Sequence, residues 1–210
     1  MKIINSNSLG KCWQQILKAV YRQGKIILNN EGNIKELLDL IIFVKNISED
    51  ALVRRYGNRA MIQWMKNNFN KKTPIRGWGY SYGSRIKDFQ GFNQMSVIIK
   101  KLKNNPHSKS SIIGLILPAE DKQHVPCLIA LDFKIRNKNL ITTAFFRSQD
   151  VGEKFCADAL AIKSISERIA KPLNYPLGQF VFFIKSAHIY LSDLDAVDKI
   201  LNNEPKTSRK

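Results

Sequence analysis

Residues 127–146, CLIALDFKIRNKNLITTAFF, hold two β-type runs joined by a short polar connection, and their reading decides the fold class. The first run alternates its apolar residues, the period of a strand with one buried face. SIIGLIL at 111–117 precedes them, so three strands follow one another closely. Outside them the period changes. Ser8 stands before a helical stripe of Leu9, Trp13, Ile16, Leu17 and Val20 that ends at Gly24. LLDLIIFV at 37–44 reads as a buried strand, and Leu52, Tyr56, Ala60, Trp64 and Met65 predict one helix over 50–69. TPIRGWGYSYG at 73–83 reads as an irregular loop, followed by a helix from about Met95 to Leu102. A long helix over 157–173 carries Pro172 near its end; a final strand covers 178–190, and Ser192 caps a closing helix. Helices, then strands, then helix and strand again predict an α+β domain with a mixed, mainly antiparallel sheet packed with helices. Residues 1–203 are expected to form a single domain and the basic segment 204–210 a disordered tail.

The chain has 210 residues, enough for a real core. No apolar stretch approaches the length of a bilayer span, and MKIINSNSLGK lacks the apolar core of a signal peptide, so a cytoplasmic protein is expected. Cys12, Cys127 and Cys156 are an odd number without paired spacing, which argues against a disulfide framework. His107, His124 and His188 are scattered, so no metal site is expected. Lys and Arg outnumber Asp and Glu 34 to 17, giving a net charge of +17 that favours anionic partners. The basic residues are dispersed and lack interleaved aromatics, which makes RNA a secondary partner at most.

Four short pieces carry candidate chemistry: YGSRI (82–86), HVPCL (124–128), FFRSQDVGEKFCAD (145–158) and SAHIY (186–190). Each has a plain reading by itself. Cys127 fits a small buried hydrophobe as well as a nucleophile. Arg147 and Asp150 fit a surface ion pair, and His188 and Tyr190, two apart on a strand, fit a buried polar network.

Together, a Pro-Cys at a strand start, Arg-Ser-x-Asp after the next strand and His-x-Tyr on a later strand resemble the thymidylate synthase and deoxycytidylate hydroxymethylase family. The resemblance runs from about Tyr82 to Tyr190, including NNPHSKSSIIGLI, and implies the family fold, a homodimer and one-carbon transfer to C5 of a pyrimidine nucleoside monophosphate. It implies 5,10-methylenetetrahydrofolate as the donor. Cys127 would add to C6 as thiolate, making C5 nucleophilic. Arg147 would serve both the thiol, by lowering its pKa, and the nucleotide phosphate, with Ser148 as a second phosphate donor. Asp150 would act in catalysis and meet the folate pterin. His188 and Tyr190 would hold the sugar hydroxyl, and Tyr82 would join the substrate-binding group.

Where the synthases read uracil with asparagine, this chain has Asp158, as in the cytosine-specific hydroxymethylases. A carboxyl accepts from the cytosine amino group and can share a proton with N3, whereas it would face the O4 lone pairs of uracil. Asp158 also suits the plainer task of capping a helix that starts near Ala159. The resemblance therefore implies hydroxymethylation of CMP or dCMP, with methylation of dUMP as one alternative and a non-catalytic nucleotide or RNA binder as another. The chain departs from the pattern in places. The family's two phosphate arginines, contributed by the partner subunit, are here Lys109 and Ser110, so Lys109 keeps one charge without the bidentate fork. No Arg-containing phosphate loop is recognisable before residue 30. Glu49 is the nearest acidic residue to the expected catalytic glutamate. Twenty residues follow Tyr190 where the synthases continue further.

Overall fold

A computed structural model describes residues 1–28, 30, 32–76 and 79–202. Its strands are β1 (Lys2–Ser8), β2 (Lys25–Ile27), β3 (Ile34–Asn46), β4 (Ile112–Gly114), β5 (Leu128–Arg136), β6 (Asn139–Asp150) and β7 (Leu177–Tyr190). The helices are α1 (Leu9–Gln23), α2 (Ala51–Tyr56), α3 (Arg59–Asn70), α4 (Tyr82–Lys87), α5 (Gln94–Asn104), α6 (Phe155–Leu173) and α7 (Leu194–Asn202). The sheet runs β1-β3-β7-β6-β5-β4, with β2 also on β3. Pairings β1–β3 and β6–β7 are parallel and the rest antiparallel, so the expected mixed, mainly antiparallel α+β architecture is what the chain forms. Among the described residues, no helix is long and apolar enough to cross a membrane. Segment 204–210, expected to be a tail, lies outside the described residues.

Buried Leu9, Trp13, Ile16, Leu17 and Val20 form the expected core face of α1. Ser8 precedes α1 but makes no side-chain cap; the amide of Gly10 donates instead to the Asp50 carboxylate at 2.8 Å. The other Asp50 oxygen accepts from the amides of Leu52 and Val53, so one carboxylate closes the N-termini of α1 and α2. The single helix expected over 50–69 is broken between Tyr56 and Arg59. Gly57 folds back on the Val53 carbonyl, where a Cβ would lie 2.6 Å from its oxygen, and the Asn58 side chain caps α3 anew. The break turns Met61, Trp64 and Met65 toward a cavity instead of continuing one core stripe.

The loop expected over 73–83 ends sooner. Ser81 and Ser84 form a reciprocal capping box that starts α4 at Tyr82. At the C-terminus a 3-10 turn, Leu191–Asp193, separates β7 from α7, and the Ser192 hydroxyl donates to Asp193 instead of capping the helix. β1 and β2 were not expected. In β1 only Ile4 is buried and all of β2 is exposed, so their strand conformation comes from pairing with β3 and leaves little periodic signal.

One buried ion pair fixes the loop that leads to Cys127. Arg85, on α4, bonds Asp121 at 2.6 Å and lies over the rings of Tyr80 and Phe89. The second Asp121 oxygen accepts from the Leu117 amide at 2.6 Å. Both side chains are excluded from water, and the only other acidic partner of Arg85 among the described residues is the exposed Glu120, at 3.5 Å, so removing Asp121 leaves the buried guanidinium poorly compensated. Asp121→Ala should cost about 3–5 kcal/mol in urea unfolding, against less than about 1 kcal/mol for an ordinary surface substitution. A surface-sized loss would contradict this role.

Candidate functional site

The strand ends near residues 147–150 and 186–190 carry the chemistry. In β7, Phe180, Phe182 and Ile184 are buried, but further along the buried apolar residues are Ala187 and Ile189. Beside this change, on β3, Asp39 adopts φ +60°, a left-handed conformation that aspartate tolerates better than most residues. Ser186, His188 and Tyr190, two apart along the strand, share one wall. Cross-strand register continues that wall: Glu36 on β3 and Asp150 on β6 both pair with His188, and Ser148 pairs with Ser186. These residues line a cavity of about 620 Å³, closed opposite by Met61, Trp64 and Met65 of α3.

Cys127 sits immediately before β5 with its side chain open to this cavity, rather than sealed among core side chains. The Tyr82 hydroxyl accepts from the Leu128 amide at 3.2 Å, so Tyr82 braces the residue after the thiol while also lining the cavity. Arg147 donates to the carbonyls of Val125 (2.7 Å) and Pro126 (3.1 Å), which holds its guanidinium with Nη2 4.0 Å from the Cys127 sulfur. The expected lowering of the thiol pKa is outweighed: partial burial raises it, and Arg147 opposes the rise. The thiol therefore rests protonated at neutral pH, with the guanidinium placed to favour the thiolate when a proton is taken from it.

Ser148 Oγ and His188 Nδ1 are 3.3 Å apart, and the His188 and Tyr190 rings meet edge to face at 5.4 Å. Burial lowers the His188 pKa, favouring neutral imidazole. Asp150 accepts from the amides of Gly152 and Glu153, both at 3.1 Å, and lies 4.0 Å from Lys154; burial nevertheless raises its pKa.

Asp158 does not cap a helix. Because α6 begins at Phe155, Asp158 lies within its first turn, where its Oδ2 accepts from Gln149 Nε2 at 2.8 Å. Asp158 lines the cavity, and its Oδ1 is buried without a hydrogen-bond partner among the described residues. Burial lifts its pKa from 3.8 to about 7. The folded chain thus holds this proton more tightly than the unfolded chain, and stability should fall as pH rises from about 4 toward 7. Relative to Asp158→Asn, the wild type should lose on the order of a few kcal/mol across that window. Urea unfolding at several pH values checks this; an unchanging difference would contradict the burial argument.

Two candidates lie elsewhere. Lys109 is exposed beyond α5 and does not line the cavity of its own chain. Glu49 pairs with Lys66 at 3.1 Å and Arg59 at 3.9 Å, also outside the cavity. The glutamate that does line it is Glu36, which accepts from the Ser186 hydroxyl. Sequence reading missed Glu36, Ser186 and Gln149, since their place in the wall depends on cross-strand register and on α6 packing. Among the described residues no cluster of three or more His, Cys, Asp or Glu is arranged for a metal ion.

A mixed sheet thus brings a cysteine and an arginine together in one cleft. A sequence model of the thymidylate synthase family matches residues 24–210, and the chain belongs to that family. It is 28% identical to a protein of Methanosarcina mazei provisionally named thymidylate synthase, over 95% of this chain and 94% of that one. Relatives with the same provisional name in Methanothermobacter thermautotrophicus and Methanocaldococcus jannaschii are each 25% identical. The alignments cover 94% of this chain and 97% of the first relative, and 95% and 96% for the second.

Proposed function

We propose that this family member hydroxymethylates C5 of a cytidine monophosphate. The observation that carries the cytosine reading is Asp158, which lines the same cavity as Cys127 and whose buried Oδ1 has no hydrogen-bond partner among the described residues. A carboxyl that titrates near neutrality can accept from the N4 amino group as carboxylate and donate to N3 as acid. A uracil ring would set its O4 lone pairs against the carboxylate form, leaving buried polar groups unpaired.

In this reading Cys127, as thiolate, adds to C6 and the C5–C6 electron pair moves onto C5. Arg147 favours the thiolate and, with Ser148, takes the phosphate. His188 and Tyr190 hold a sugar hydroxyl. Loss of the C5 proton and expulsion of Cys127 restore the ring. Trp64, Met61 and Met65 line the same cavity as the Asp150 carboxylate, a combination that suits a flat heterocycle with N–H donors such as a pterin. When bound there, methylenetetrahydrofolate would supply the one-carbon unit and leave as tetrahydrofolate, with a water molecule providing the hydroxyl of the product.

An open apolar sheet face supports a homodimer. Phe145 and Phe183 stack at 5.3 Å on that face, and Ile3 is 51% exposed, an apolar surface suited to a second copy. Lys109 would then serve the neighbouring site. The relatives' names favour a second reading, methylation of dUMP. Incubation with CMP, dCMP or dUMP and methylenetetrahydrofolate, followed by mass spectrometry, distinguishes the two. A hydroxymethyl cytidine nucleotide supports the proposal, and a methylated uridine nucleotide alone refutes it.

A further inference from the structure

The cavity wall beside His188 carries two polar groups that the reading above does not use. Glu36 and Ser186 stand on neighbouring antiparallel strands, and Glu36 is the register partner of His188. The Ser186 hydroxyl donates to Glu36 Oε1, which commits its single proton. Among the described residues, no hydrogen bond reaches the other Glu36 oxygen. Toward the cavity the pair offers acceptors only, so a ligand at this wall must bring the donor.

We infer that the substrate is a ribonucleotide, with Glu36 and Ser186 holding the second sugar hydroxyl beside the one at His188 and Tyr190. This rests on the proposed reading of the cavity as a pyrimidine nucleotide site. A deoxyribose has one free ring hydroxyl, the 3′-OH, and nothing to set against Glu36. Its entry would strip water from a carboxylate and return no hydrogen bond, the kind of mismatch by which a polar site rejects an analogue lacking a hydroxyl. Ribose places its 2′-OH cis to the 3′-OH, one polar group further along the same wall. A carboxylate is a recurrent partner for a ribose 2′-OH elsewhere in nucleotide recognition. The arabinose epimer turns that hydroxyl to the opposite sugar face, away from Glu36.

Titration calorimetry of the full chain with CMP, dCMP and arabinosyl-CMP tests the assignment without any cofactor. The wild type should bind CMP about ten- to hundredfold more tightly than the other two, the span expected for a hydrogen bond to a charged group. Glu36→Ala should bring CMP and dCMP within about threefold of each other, and Ser186→Ala should reduce the preference part-way. Should Glu36→Ala not fold, Glu36→Gln preserves the volume and should lower the preference about tenfold. Equal binding by the wild type, tighter binding of dCMP, or an unchanged preference in a folded Glu36 variant would overturn the inference alone. Failure of the wild type to bind any of the three would instead overturn the nucleotide-site reading beneath it.

Discussion

Replacement of Cys127 by alanine is expected to lower turnover of the cytidine nucleotide by about 10³- to 10⁶-fold, the range seen when a covalent nucleophile is deleted. Nucleotide affinity should change little, because Arg147 keeps its carbonyl partners at Val125 and Pro126 without the sulfur. The fold should also survive. Cys127 is open to the cavity and the backbone bond from Arg147 N to its carbonyl, 2.9 Å, is indifferent to the side chain. The expected signature is therefore a collapse of kcat with Kd and unfolding midpoint near wild type. A variant with appreciable turnover would mean that the thiol is not the attacking group, despite its 4.0 Å approach to Arg147.

Asp158→Asn should invert base preference. An asparagine can keep its oxygen toward Gln149 Nε2, as Asp158 Oδ2 does at 2.8 Å, and turn its amide nitrogen to the cavity. That nitrogen donates to uracil O4 and clashes with the cytosine amino group. Since polar mismatch in a buried site discriminates by as much as about 10⁴- to 10⁵-fold, the ratio of kcat/KM for cytosine over uracil nucleotides should fall by at least about 10³-fold. Competition between CMP and UMP, each labelled, measures the ratio directly. An unchanged ratio would assign Asp158 a structural place on α6 and leave base choice to other residues.

Much of this site was legible before any coordinates. The family resemblance implied roles for Cys127, Arg147, Ser148, Asp150, Asp158, His188 and Tyr190, and all seven line one cavity. Alternation made the strands beside them readable, because β5, β6 and β7 are long and their apolar periods are strong. Glu36 escaped notice because LLDLIIFV draws attention to the core half of β3, whereas the cavity half lies beyond Asp39, nearer the start of the strand. Glu49 attracted attention by position alone and instead joins an ion-pair cluster at Lys66. The broken helix at Gly57 was hidden because apolar residues continued at helical spacing on both sides of the break. Its consequence, Trp64 and two methionines facing the cavity, depends on packing that no local pattern encodes. Raised thiol and carboxyl pKa values likewise follow from burial, which a linear sequence does not display.

Release of tritium from C5-labelled nucleotides tests the central claim most directly, because addition of Cys127 to C6 and replacement at C5 must precede loss of the label. CMP, dCMP and dUMP labelled at C5, each with methylenetetrahydrofolate, are the three substrates to compare. The account predicts release from CMP, abolished in Cys127→Ala. No release from any of them by folded protein, or release from dUMP alone, would contradict it.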